Sequence, residues 1–332
     1  MKRISRVIGY FLLVIAVIIA GILIYIKAFL PNVGQASGLK VERTTERIAR
    51  GKYLANSVTV CVDCHSTRDW NKFLAPLIRG TIGKGGERFD NKQGFPGIYY
   101  SKNITPEGIS RYTDGELFRV ITTGVTKEGR AMFPVMPYHY YGKMDPEDIN
   151  SLIAYLRTLD PIDNKVAESA SDFPMNFIIN TIPEKSSPKK LPNKSDLLAY
   201  GAYMTNAAAC IECHTPVKRG QILEELSFSG GRSFILPDGS VVRSANLTRD
   251  METGLGAWTK EQFVNRFKLY ADSAYQSSPV KPGEFNTIMP WLTYTQMDKD
   301  DLAAIYAYLS QVKAIKNKVV KFTAASNGKI AD

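Results

Sequence analysis

The chain has 332 residues, 44% of them hydrophobic, with 42 basic against 32 acidic side chains and a formal net charge of +10. That length leaves room for more than one domain, and that apolar content excludes a chain disordered throughout. Without Lys2, Arg3, Arg6 and Lys27, which lie in an acid-free first 30 residues, the excess falls to +6, a mixed-charge surface that argues against nucleic acid.

Met1 to Arg6 carries three cations, and the run from Val7 to Ile26 that follows is uncharged. At 1.5 Å per residue its 20 positions span the roughly 30 Å hydrocarbon core of a bilayer. A cleaved signal peptide has an apolar region of only about 7–15 residues. The small-x-small site Gly34-Gln35-Ala36 lies well beyond the run, and no cysteine near the N-terminus could carry a lipid. The reading is an uncleaved anchor. Because basic residues prefer the cytoplasmic side, residues 1–6 are expected to be cytoplasmic and 7–30 transmembrane. All that follows is expected outside the inner membrane, on its periplasmic side, as a single-pass protein. Residues 31–40, with Pro, Gly and Ser, read as a tether.

A helix from about Thr45 to Val58 leads into Cys61-Val62-Asp63-Cys64-His65, and the pattern returns as Cys210-Ile211-Glu212-Cys213-His214. C-x-x-C-H is the attachment signature of c-type haem. Two thiols three residues apart on the first turn of a helix can each add to one vinyl group of the same porphyrin. The adjacent histidine then supplies the proximal nitrogen to the iron. The two stretches use all four cysteines and two of the three histidines, so none is left for a structural disulfide. A thioredoxin-type pair expects a βαβ context, whereas these flanks read as helical. A zinc site expects its two pairs about 15–20 residues apart, and here the gap is far longer. Two covalently bound haem c groups are the expectation.

The rest of the chain repeats itself. Gly51, Tyr53 and Asn56 match Gly201, Tyr203 and Asn206 at an offset of 150. Gly85-Gly86 with Phe89 matches Gly230-Gly231 with Phe234, and Asn103-Ile104-Thr105 matches Asn246-Leu247-Thr248. Met136-Pro137 matches Met289-Pro290, and Ala154-Tyr155-Leu156 matches Ala307-Tyr308-Leu309. Ordered self-similarity of this period reads as two copies of one domain, residues 41–160 and 195–320. Between them, 161–194 is a linker rich in Pro, Ser and Lys, and 321–332 is a C-terminal tail. The linker's Phe173 to Ile182 stretch is apolar enough to pack on a neighbouring surface. Each copy ends in a helix, begun by Asp145-Pro146 and by Asp298, with apolar positions such as Ile149, Leu152, Ile153 and Leu156 on one stripe. The alternating run Ser240-Val241-Val242-Arg243 suggests a small hairpin.

An iron that only carries electrons needs a second axial ligand. Beyond His65 and His214 there is only His139, so at most one haem could be bis-His. A methionine thioether is the alternative, and it raises the potential. Met136 with Met289 and Met144 with Met297 recur at an offset of 153. Met144 and Met297 directly precede the helix caps, where an apolar residue packs as a staple. Met136 and Met289, each held by a following proline, are assigned as the distal ligands, and Met132 has no counterpart in the second copy. Asn103 and Asn246 either orient a propionate or ligand loop or serve as turn residues. Trp70, Trp258 and Trp291 either pack on a porphyrin or are core aromatics.

The order G-x-Y, C-x-x-C-H, Gly-Gly, N-[IL]-T, M-P and a final A-Y-L helix resembles class I cytochrome c domains. It is most similar to those in membrane-associated cytochrome subunits of bacterial alcohol, aldehyde and gluconate dehydrogenases, over Val41 to Val312. The resemblance implies a mainly α fold, with two tandem class I cytochrome c domains after one N-terminal transmembrane helix. It implies His65 and His214 as proximal ligands and Met136 and Met289 as distal ones. Those subunits typically carry three haem domains, and the anchor here is N-terminal.

The expected function is that of a membrane-anchored dihaem c-type cytochrome relaying single electrons in the periplasm, an electron-transfer protein and not an enzyme. Its donor would be a dehydrogenase subunit or a quinol-linked protein, and its acceptor a terminal oxidase or soluble cytochrome. Membrane lipid is met through the N-terminal helix. Lys189, Lys190, Lys313, Lys316 and Lys318 either steer an acidic partner or are solvated surface. A dihaem peroxidase needs a displaceable sixth ligand, against which a methionine at both sites argues. A haem-based sensor needs a signalling domain, and none follows the second copy.

Overall fold

The run Val7 to Ile26 carries no charge, and in an apolar surrounding its backbone can satisfy its polar groups only within a helix. In the computed structural model, which describes residues 2–325, helix α1 occupies Lys2–Phe29. It is long and apolar enough to cross a bilayer, and its apolar window is not buried against protein. A helix of this kind near an N-terminus serves as a membrane anchor or a signal peptide. Met1 and residues 326–332, the ends of the expected cytoplasmic segment and tail, lie outside the described residues.

Thr44 opens helix α2 (Thr45–Tyr53) by accepting a hydrogen bond from the Arg47 amide at 3.3 Å. Beyond Tyr53 the helix widens into a π-turn over Leu54–Val58, closed by the Thr59 amide donating to Leu54 O at 2.8 Å. The one-turn helix α3 (Cys61–Cys64) follows. The chain then forms β1 (Arg88–Phe89), β2 (Gly97–Tyr100), α4 (Pro106–Ile109), α5 (Asp114–Thr123), α6 (Tyr138–Tyr141) and α7 (Pro146–Leu156). A capping box of Thr113 and Glu116 opens α5, and Asp145 with Pro146 opens α7. The connection to the second half adds β3 (Ala170–Ser171), antiparallel to β2, and α8 (Met175–Ile178).

The second half follows the same order. Helix α9 (Leu197–Ala207) leads into α10 (Cys210–His214), and a short hairpin of β4 (Val217–Lys218) and β5 (Gln221–Ile222) comes next. The hairpin foreseen around Ser240 is β6 (Ser233–Ile235) with β7 (Val241–Arg243). Then come α11 (Lys260–Lys268), α12 (Trp291–Tyr294), α13 (Lys299–Leu309) and β8 (Phe322–Thr323), which pairs with β7. Asp298 precedes α13 as Asp145 precedes α7, but its side chain makes no cap bond.

In each half the helix leading to the motif crosses the final helix at a glycine. A Cβ on Gly51 would lie 1.8 Å from Ser151 O, and one on Gly201 would lie 1.9 Å from Ala304 O. The backbones touch there, so no larger residue fits. After each final helix the chain lies back on its own half. Asn103 Nδ2 donates to Ile162 O and Asn164 Nδ2 to Lys84 O, both at 2.8 Å. Asn246 and Asn317 do the same to Ile315 O and Ser229 O, at 2.8 and 3.0 Å. The start of the expected linker is thus laid on the first half.

The two halves share one apolar cluster that includes Leu54, Ile149 and Leu152 from one and Met204, Leu302 and Leu309 from the other. A reciprocal pair of tyrosines ties them. Tyr53 donates its hydroxyl to Asp301 at 2.7 Å and accepts from the Asp298 amide at 3.0 Å. Tyr203 donates to Asp148 at 2.6 Å and accepts from the Asp145 amide at 3.1 Å. Both carboxylates are buried, so each needs such donors to offset its lost hydration. Arg50 adds a two-pronged bond to Asp148 at 2.8 Å, while Tyr200 and Lys194 reach Asp301 at 2.9 and 3.1 Å.

Candidate haem sites

The same devices shape both C-x-x-C-H turns. Val60 (φ 48°) and Ala209 (φ 50°), each just before the first cysteine, hold the left-handed conformation that non-glycine residues rarely adopt. That bend turns the incoming helix abruptly into the motif. A buried tyrosine braces it: Tyr141 donates to Thr59 O at 2.7 Å and Tyr294 to Ala208 O at 2.9 Å. A glycine closes the far side, the Gly85 amide donating to His65 O and the Gly230 amide to His214 O, both at 2.8 Å. These glycines have φ of +71° and +73°, and a Cβ would come within 2.5 Å of Lys102 C and 2.4 Å of Ala245 C. Close approach and left-handed backbone together demand glycine.

The segments so approached, just beyond β2 and β7, position the histidines. His65 Nδ1 donates to Lys102 O at 2.6 Å, and His214 Nδ1 donates to Ala245 O at 2.7 Å. A carbonyl only accepts, so the proton sits on Nδ1 and Nε2 keeps its lone pair. Burial pushes both imidazoles below the usual histidine range, so they are neutral at pH 7. Tautomer and ring orientation are therefore set from behind, as an iron-ligating histidine requires.

Cys61, Cys64, Cys210 and Cys213 are free thiols. Burial pushes Cys64 and Cys210 up to about 12, which keeps them protonated at neutral pH. Among the described residues no group of three or more His, Cys, Asp or Glu converges to hold a metal ion. The two cysteine pairs sit in separate turns with helices before them, which suits neither a shared zinc site nor a thioredoxin-type βαβ unit. The donor set in each half, two thiols on one turn with an adjacent neutral imidazole, fits covalent haem.

Met136 and Met289 are half-buried against the core, each just before a one-turn helix. Met144 and Met297 are 1% exposed and committed to packing. His139 is half-buried with its ring 4.4 Å from that of Tyr138. Asn103 and Asn246 act as turn residues. The side-chain oxygen of Asn103 accepts from Thr105 N and Oγ1, and that of Asn246 from Thr248 N and Oγ1. Trp70 stacks under Arg68 at 4.5 Å and Trp291 under Arg266 at 3.8 Å.

Sequence reasoning missed the residues that surround the motifs. Asp63 inside the first motif pairs with Arg68 at 3.3 Å, and Arg68 also reaches Glu87 at 3.0 Å. Glu212 inside the second pairs with Arg232 at 2.7 Å. Tyr140 of the first half donates to Glu212 at 3.1 Å, and Thr293 of the second half lies beside Asp63. Each motif thus faces a one-turn helix of the opposite half. The offset of 153 that joins Met136 to Met289 also joins Tyr141 to Tyr294 and Tyr140 to Thr293, and that was the available signal.

No protein-family model matches the chain. Individual proteins do. The chain is 26% identical over 307 residues to the cytochrome c subunit of alcohol dehydrogenase (quinone) from Gluconacetobacter polyoxogenes, covering 87% of this chain and 60% of that protein. It is 26% identical over 291 residues to the gluconate 2-dehydrogenase cytochrome c subunit of Pantoea cypripedii, covering 83% and 62%. It is 26% identical over 267 residues to a diheme cytochrome c-type protein of Cereibacter sphaeroides, covering 77% and 83%. The chain is therefore similar to dehydrogenase cytochrome c subunits and to a dihaem cytochrome c, as its motifs imply. It spans about 60% of the length of the dehydrogenase cytochrome subunits it matches.

Proposed function

We propose that this chain is a membrane-anchored dihaem c-type cytochrome, built as two tandem class I cytochrome c domains, that relays single electrons. The observation that carries the reading is the pair of C-x-x-C-H turns whose histidines are tied at Nδ1 to backbone carbonyls at 2.6 and 2.7 Å. Haem iron, when bound, supplies the one-electron chemistry, and the protein supplies spacing, axial ligands and docking surface. Cys61, Cys64 and His65 would hold one group with Met136 as the distal ligand, and Cys210, Cys213 and His214 the other with Met289. Because each motif faces the opposite half, Tyr140 against Glu212 and Thr293 against Asp63, the two sites suit transfer within one chain.

The likeness to dehydrogenase cytochrome subunits supports a dehydrogenase subunit as electron donor and an electron-carrying rather than catalytic role. Helix α1 would hold the relay at the inner membrane with both halves on the periplasmic side, an oxidising compartment in which thioether bonds protect the cysteines from disulfide formation. Pyridine haemochrome analysis of the full chain tests the core of this reading. Two c-type haems per chain are expected, and one after Cys61→Ala with Cys64→Ala. A high-spin ferric spectrum with rapid peroxide turnover would instead assign a peroxidase.

A further inference from the structure

The apolar run Phe173–Ile182 lies outside the cores of both halves, contains no charged residue, and leaves Phe173 80% and Ile178 43% exposed. A soluble surface rarely carries such side chains together without a partner. Its neighbour is the N-terminal helix. Helix α8 and the turn Ile179–Thr181 touch α1, where Leu23 and Ile26 are partly covered while the residues around them are exposed. Lys27, in the last turn of α1, donates its ammonium to Asn176 O at 2.9 Å and lies 4.9 Å from the centre of the Phe177 ring.

These contacts set a depth, on the reading that α1 spans the bilayer. The uncharged run Val7 to Ile26 fills the roughly 30 Å hydrocarbon core, so the Lys27 ammonium falls at the headgroup boundary. Asn176 and Phe177, bonded to it, fall at the same level. Tyr25 and Phe29, stacked at 5.6 Å and exposed, form an aromatic pair at that level on α1 itself. The run is also anchored behind. β3 pairs with β2, the Asp172 amide donates to Pro96 O at 3.0 Å, and Asn91 Nδ2 donates to Asp172 Oδ2 at 2.8 Å.

We infer that Phe173–Ile182 is a second membrane contact, lying beside α1 in the bilayer interface with Phe173 and Ile178 turned into the acyl–headgroup boundary. It ties the first half to the membrane surface, so that half is the one held nearest the lipid. The partner is lipid, because the run is continuous with the face of the span and shares its interfacial lysine.

Photocrosslinking in native membranes tests this with the full chain, carrying p-benzoylphenylalanine singly at Phe173, Ile178, Ile15 or Leu269. Ile15 lies mid-span, and Leu269 is an exposed residue of the second half. Lipid adducts at Phe173, Ile178 and Ile15, with none at Leu269, are the expected result. Lipid at Ile15 but protein adducts or none at Phe173 and Ile178 would overturn the inference and leave the span standing. Protein adducts there would assign the run to a partner subunit. No lipid at Ile15 or at Phe173 would remove the span and the inference together.

Discussion

At the scale of single residues, the proposed ligand assignment rests on sulfur placement and backbone fit. Met136 and Met289 are half-buried before their one-turn helices, whereas Met144 is sealed in the core. Met136→Ala should therefore remove about half of the methionine–iron charge-transfer absorption of the ferric protein, and Met289→Ala the other half. Met144→Ala should leave that band in place and cost roughly 2–5 kcal/mol of stability through the cavity it opens. Loss of the band in the Met144 variant would mean the ligands are misassigned. Gly85 makes a different demand. Alanine there must hold a left-handed backbone and push its Cβ against Lys102, whose carbonyl orients His65. Gly85→Ala should cost more than about 1 kcal/mol and shift the reduction potential of one haem while the other is unmoved. Redox titration resolves the two.

At the scale of elements, the lead-in helices show how a one-residue difference is accommodated. The halves are offset by 150 at Gly51 and Gly201 but by 149 at Cys61 and Cys210. The π-turn Leu54–Val58 takes up the extra residue, while α9 stays regular. Deleting Ser57 should convert that turn to α-helix and give the first half the register of the second, with two haems still attached. Deleting Ala207 from α9 should rotate its motif by about 100° and leave one haem, counted by pyridine haemochrome. Equal loss from both deletions would show that the π-turn is needed in its own right.

At the scale of the whole molecule, the reciprocal tyrosines decide how the halves sit. Tyr53→Phe strips a donor from buried Asp301 and an acceptor from the Asp298 amide, and Tyr203→Phe does the same at Asp148 and Asp145. Each should cost roughly 1–3 kcal/mol in denaturant unfolding. The two clusters meet, since Arg50 pairs with Asp148 and lies 5.8 Å from the centre of the Tyr53 ring. The double variant should then depart from the sum of the singles by more than about 0.5 kcal/mol. Strict additivity would make them independent latches.

What the sequence determined by itself was the internal repeat and the features encoded within a turn or two of chain. Thiol spacing marked the attachment turns, and capping residues and apolar stripes marked the final helices α7 and α13. Repeated glycines marked the internal repeat, and the structure shows that backbones touch at them. These signals are local, because helix caps, covalent reach and left-handed turns depend on neighbours in the chain. Only the tertiary structure decided which carboxylate Tyr53 meets, 248 residues away, and that each motif faces a helix of the other half. It also decided that residues 161–171 lie on the first half and that Phe173–Ile182 lies beside α1. Those pairings come from packing two similar bodies about a shared core, where complementarity across the interface selects the partners.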